Sequence, residues 1–137
     1  MRVLPVALAL LAVPVLADDA KVAVQVEVVL ASLKGNTIDP PTLKAMQDAM
    51  AKKVKYGSLK RQSMEKLELE TKPHALKLPN GVDAALSVEA LKNDVATLRV
   101  KVPPADATYN LGKKGTLYVQ AGKQGEDDLW LVLSPAK

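Results

Sequence analysis

From Lys21 onward the chain alternates. Val22, Val24, Val26 and Val28 fall on one side, with Ala23, Gln25 and Glu27 on the other. A period of two in β-branched residues is sorted onto two faces by an extended strand and by no helix. This strand runs to about Leu33, where Gly35-Asn36 punctuates it. The period then returns along most of the chain. Tyr56 to Gln62 reads as a weak strand, and Leu67, Leu69 and Thr71 alternate with Lys66, Glu68 and Glu70. Leu76 and Leu78 lead into the turn Pro79-Asn80-Gly81, and Leu86, Val88 and Ala90 form the next inward face. Asn93-Asp94 turns the chain into Val95–Val102, closed by Pro103-Pro104. A loop containing Tyr109 leads to Leu117, Val119 and Ala121. After a charged hairpin loop, Gly122 to Asp128, the alternation ends with Leu129, Leu131 and Leu133.

Strands that bury only alternate residues need a second layer to cover them. One segment has a different period. Leu43, Met46, Ala49, Met50 and Val54 share a helical stripe while Lys44, Gln47, Asp48 and Lys52 face away. Asp39 before Pro40-Pro41 suits an N-cap followed by a proline-tolerant first turn. The expectation is one amphipathic helix from Pro40 to about Val54. The fold class is α+β, mainly antiparallel β: about eight short strands in a bent sheet, sandwich or small barrel, with one helix near the N-terminus.

Residues 1–17 carry an address. Arg2 supplies a positive start, Val3 to Val13 is apolar apart from Pro5, and Val15-Leu16-Ala17 offers small residues to a signal peptidase. The apolar run is far short of the ~20 residues that cross a bilayer. Residues 1–17 therefore read as a signal peptide, and 18–137 as one β-rich domain of a periplasmic or secreted protein with no transmembrane segment. Cleavage after Ala20 would put Asp18 at the −3 position, so the cut is placed between Ala17 and Asp18.

An exported chain with no cysteine has to rest on its apolar core, without disulfides. The formal charge of +4 at pH 7 is small and mixed along the chain, which argues for solubility over dedicated polyanion binding. Sugar and single-stranded nucleic-acid modules rely on exposed rings. With no Phe, one Trp and three Tyr, both activities are disfavoured.

Catalytic groups are sparse. His74 is the single histidine, which leaves no multi-histidine zinc site, and it follows Pro73 at a strand end. Glu68 and Glu70 on one strand face would stand about 7 Å apart, a glycosidase-like spacing, but the same alternation describes a solvated strand face. Glu126-Asp127-Asp128 lacks the spacing by which calcium loops wrap an ion. No catalytic residue, metal ligand or cofactor is expected. Lys52, Lys53, Lys55, Lys60, Arg61 and Lys66 form the densest basic region, a candidate site for an anion such as lipopolysaccharide phosphate or a nucleic acid. Its plainer reading is lysines that complement the negative end of a helix. Trp130 and Val132 lie out of phase with Leu129, Leu131 and Leu133, and Tyr118 is out of phase with Leu117 and Val119. These three residues form either a second buried layer under the helix or a partner-facing patch.

Four segments carry a resemblance: Gly35-Asn36-Thr37-Ile38-Asp39-Pro40, Tyr56-Gly57-Ser58-Leu59-Lys60, Lys77-Leu78-Pro79-Asn80-Gly81 and Leu131-Val132-Leu133-Ser134-Pro135. The chain resembles small exported proteins of unassigned function from myxobacteria and related Gram-negative lineages, over nearly all of the part after the signal. These segments are turns, caps and strand ends. The resemblance implies export, a leading strand, one helix and a β-rich remainder, and it brings no catalytic residue. The expected function is a non-enzymatic binding or structural module of the cell envelope with a protein partner. The anion binder is the first alternative, and a carboxylate-based hydrolase centred on Glu68 and Glu70 is the second.

Intact-mass measurement on protein recovered from an expressing Gram-negative host should find a chain that begins at Asp18. A mass that retains Met1, or one that begins after Ala20, would refute the cleavage assignment.

Overall fold

The computed structural model describes residues 21–136, so the expected signal sequence and its cleavage point lie outside the described residues. The elements run β1 (Val22–Ser32), β2 (Ile38–Asp39), a 3-10 turn (Pro41–Leu43), α1 (Lys44–Met50), β3 (Ser58–Leu69) and β4 (His74–Lys77). They continue with β5 (Asp83–Lys92), β6 (Val95–Val102), β7 (Ala105–Leu111), β8 (Leu117–Gln124) and β9 (Asp127–Pro135). One sheet has the order β2-β3-β1-β9-β8 and the other β4-β5-β6-β7. All pairings are antiparallel except β2 with β3. The two sheets face each other without closing, so of the expected architectures the small barrel is set aside.

Between the sheets lies the larger core. Val26, Val28 and Leu30 of β1 stand opposite Leu133, Leu131 and Leu129 of β9 in register, and Leu86, Leu98 and Val100 approach from the opposite sheet. Each such aliphatic side chain, fully buried, contributes roughly 1.5–3 kcal/mol by leaving water. The alternation read along these strands is therefore the inter-sheet face.

On β3 the alternation conceals a change of face. Val28 pairs with Ser63 and Val29 with Arg61, which leaves Gln62 unpaired in a bulge. A bulge inserts one residue and shifts the phase of everything beyond it. Leu59 consequently packs on the outer, helix-bearing side of the sheet, whereas Leu67 and Leu69 pack between the sheets. The weak strand at Tyr56–Gln62 and the alternating run after it are one bulged strand. A second bulge on β5 leaves Glu89 unpaired between Val88 and Ala90, and the expected inward Ala90 is exposed.

The helix departs from expectation. It lies mid-chain between β2 and β3, not near the N-terminus, and α1 spans only Lys44–Met50 after the 3-10 turn. Proline disfavours helical geometry in the residue before it. Pro40, followed by Pro41, is accordingly extended at φ −74° and ψ 164°, and Asp39 belongs to β2 instead of capping the helix. At the other end Lys53 N and Val54 N both donate to the Met50 carbonyl and close the helix there. β7 also differs: Ala105–Leu111 was expected as loop. Its side chains are mostly exposed and show no apolar period, yet it pairs with β6 along its full length.

Asn80 ties the two sheets together from the turn between β4 and β5. Its Nδ2 donates to the carbonyls of Ala121, at 3.2 Å, and Lys123, at 3.1 Å, while its Oδ1 accepts from Val82 N at 3.2 Å. Gly122 lies between those two acceptors at φ +96°, a conformation glycine adopts without strain. A Cβ there would sit 3.3 Å from Asn80 Nδ2.

Asn80→Ala removes all three bonds and leaves two carbonyls and one N–H unpaired in a partly solvated site. Urea unfolding should show a loss of about 1–2 kcal/mol with little change in m. An unchanged midpoint would refute the tie between the sheets.

Candidate binding cleft beside Trp130

A smaller core covers the outer face of the five-stranded sheet. Leu43, Met46 and Met50, spaced along one side of the helical segment, press onto Val29 and Ala31 of β1, Leu59 of β3 and Val132 of β9. The segment is too short to cover the whole face. Beyond its C-terminal end a cleft of about 520 Å³ opens toward β8 and β9. Ala49, Met50 and Val54 form one wall, Leu117, Tyr118 and Trp130 the other, with Lys53, Tyr56, Thr116, Gln120 and Asp128 as its polar members.

Tyr56 anchors the cleft from below. The loop that carries it lies against the Gly35 turn, held by a bond from Gly57 N to the Ser32 carbonyl at 2.9 Å. Gly57 must be glycine, because a Cβ would run into the Gly35 carbonyl oxygen. Only 3% of Tyr56 is exposed. Its hydroxyl donates to Asp128 Oδ2 at 2.6 Å and accepts from Trp130 Nε1 at 3.1 Å. Asp128 Oδ1 lies 3.4 Å from Lys123 Nζ, and Gln47 Nε2 donates to the Tyr56 carbonyl at 2.7 Å. Burial first, then the hydrogen bond to Asp128, pushes the Tyr56 phenol up to about 12, against an opposing contribution from Trp130. The Tyr118 phenol is also raised, by burial and then by the charge of Glu27. The cleft is thus floored by a tyrosine–aspartate–indole chain with its polar atoms paired.

The expected contact residues Trp130, Val132 and Tyr118 share this outer face. Tyr118 pairs with Val132, and Gln120 with Trp130, across the β8–β9 hairpin. Val132 is a correction: it is 6% exposed beneath the helical segment, so the packing there withdraws it from any partner surface. Trp130 and Tyr118 are half-buried and line the cleft.

The six basic candidates do not form one patch. Lys52, Lys53 and Lys55 follow the helix, beyond its last turn, and only Lys53 lines the cleft. On β3 the bulge splits the others. Arg61 and Lys66 stand opposite Val29 and Gln25 on the helix side, whereas Lys60 stands opposite Leu30, which packs toward the inter-sheet core. Arg61 is also engaged, its Nε donating to Glu27 Oε2 at 2.8 Å.

The carboxylate candidates fall into two groups. β3 ends at Leu69, so Glu70 is off the strand. Glu68, Glu70 and His74 border a shallow depression of about 140 Å³. Glu126 lies 3.8 Å from Lys34, Asp127 stands in β9 opposite Gln124, and Asp128 turns to Tyr56. Among the described residues no group of three or more His, Cys, Asp or Glu side chains is placed to hold a metal ion.

Tyr56 and Asp128 were invisible as a pair from sequence. They stand 72 positions apart, and Tyr56 and Trp130 are 74 apart, so no local spacing links them. The sole local hint is Tyr56 directly before Gly57, a ring placed where the chain must pass close to itself. No protein-family model, curated protein or solved structure matches the chain.

Because Tyr56 ionises near 12 when folded and near 10.0 otherwise, its neutral form is stabilised by folding. That contribution is complete below pH 10 and is lost as pH rises through 10 toward 12. Tyr56→Phe should therefore lose about 1–2 kcal/mol at neutral pH. It should also show a flatter fall in stability than the parent above pH 10. Parallel alkaline denaturation curves for the two proteins would contradict this.

Proposed function

We propose that this chain is an exported, non-enzymatic binding module of the bacterial cell envelope that meets a protein partner at the cleft between α1 and β8–β9. The cleft itself carries the reading. Its volume of about 520 Å³ lies in the range typical of ligand sites, and its walls are mainly apolar with a few fixed polar groups. Trp130 and Tyr118 present half-buried amphipathic rings, the type of side chain that dominates interface energetics. The paired floor means that the concavity exists before a partner arrives, so little ordering cost falls on binding.

Burial pushes the Tyr56 and Tyr118 phenols up, away from the working pH, which disfavours either of them as a general acid or base in the cleft. Dispersal of Lys60, Arg61 and Lys66 over two faces weakens the nucleic-acid and lipopolysaccharide alternative. Export rests on the character of residues 1–17. Among the described residues no helix is long and apolar enough to cross a membrane.

Ala49 is exposed on the cleft rim, so Ala49→Tyr should fill the mouth without disturbing either core. A partner recovered by crosslinking in envelope extract should be lost with Ala49→Tyr and retained with Thr108→Tyr on the distant β7. Equal recovery by both variants, or no recovery by the parent, would defeat the proposal.

A further inference from the structure

The cleft opens beside an unpaired strand edge. β8 is the terminal strand of its sheet, so one row of its backbone N–H and C=O groups has no neighbour. The carbonyls of Ala121 and Lys123, which accept from Asn80, belong to that outer row. Backbone groups two residues apart point the same way along a strand. The bulge between Gln120 and Lys123 reverses the phase, however, so on its near side the N–H and C=O of Tyr118 and Gln120 face outward, and no described residue outside the sheet gives them a backbone bond. Asn80 caps one end of this edge and leaves Leu117–Gln120 open.

Proteins usually blunt such edges with charge, shortness or cover. β3 flanks its outer edge with Glu65, Lys66 and Glu68, β4 is four residues long, and β7 carries Asp106 paired with Arg99 at 2.7 Å. Leu117-Tyr118-Val119-Gln120 has no charged residue; Leu117, Tyr118 and Gln120 line the cleft and Val119 packs in the inter-sheet core. On a strand added here, residues opposite Tyr118 and Gln120 would fall on the helix side of the sheet, where the cleft lies.

Resting on the binding reading above, we infer that an extended segment of the partner adds to β8 along Leu117–Gln120, seats an apolar side chain in the cleft and turns a carboxylate toward Lys53. Backbone pairing supplies affinity and the pocket supplies specificity in this mode of recognition. Charge selects the carboxylate. Lys53 on the cleft wall makes no ion pair among the described residues, nor do Lys52 and Lys55 beside it. The carboxylate already in the cleft, Asp128, is engaged by Tyr56 and Lys123.

Trp130 is the only tryptophan, so its emission reports the cleft directly. The probes are acetylated, amidated pentapeptides Thr-X-Thr-Glu-Thr with X as Val, Leu or Phe, which put X and Glu on the same face of a strand, titrated into the whole protein. At least one should shift the emission saturably. N-methylation of its amides on the pairing edge should weaken binding roughly tenfold, and methylation on the opposite edge by less than about twofold. Replacing the peptide Glu by Lys should weaken binding several-fold, and Lys53→Glu should reverse that preference. Equal affinity of the two methylated isomers would overturn the inference and leave side-chain capture in the cleft, and hence the binding reading, standing. Amide signals that move along β7 instead of β8 would overturn the edge assignment. Silence of all the peptides at millimolar concentration would overturn the inference as well, while the Ala49→Tyr comparison decides the broader reading independently.

Discussion

Val28 and Val29 are neighbours in the chain and both are buried, at 2% and 0% exposure, so β1 needs a packed layer on each of its faces. The opposite sheet supplies one layer. The helical segment, anchored by Leu43, Met46 and Met50, supplies the other. β1 sits between β3 and β9 in the middle of its sheet, and both neighbours are drawn into the same double burden. β9 meets it by carrying leucines inward and Trp130 and Val132 outward. β3 meets it with the Gln62 bulge, which moves its leucines from one face to the other along a single strand.

The cleft follows from how little of the outer face a helix of this length can cover. Met50 is its last buried residue, and the sheet continues beyond it to Trp130 and Tyr118. Leaving those rings over empty space would expose the indole N–H and the Tyr56 hydroxyl to competing water. Instead they bond to each other and to Asp128, whose second oxygen faces Lys123. Groups that satisfy one another hold a shape that a purely apolar depression of this depth would not keep.

The inter-sheet core was legible because its signal is local. Alternating Val and Leu at Val22–Val28, Val95–Val102 and Leu129–Leu133 needs no knowledge of the partner strand. Trp130 and Tyr118 were legible as an out-of-phase pair, and the structure divides the three residues: Val132 is covered while the two rings border the cleft. Three things were not legible. A bulge such as Gln62 depends on the register of β1 against β3, which no single strand contains. The strand β7 has no apolar period of its own and exists because β6 offers it hydrogen bonds. The helix was over-extended because its apolar stripe persists past both ends, while Pro41 at one end and the turn at Met50 at the other set the backbone. The Tyr56–Asp128–Trp130 chain is a product of the tertiary structure alone.

The placement of β1 bears on the order in which the molecule can assemble. Val24 stands opposite Pro135 and Ala31 opposite Asp128, so the leading strand finds one of its two neighbours only when the final strand exists. Pairings of such large sequence separation fold slowly, since loop closure precedes any reward. On a ribosome the larger sheet stays incomplete until Asp127–Pro135 has been made, while the β4–β7 meander can form from adjacent hairpins. For the exported chain proposed above, this delay keeps the five-stranded sheet from closing early and blocking linear passage through a translocon.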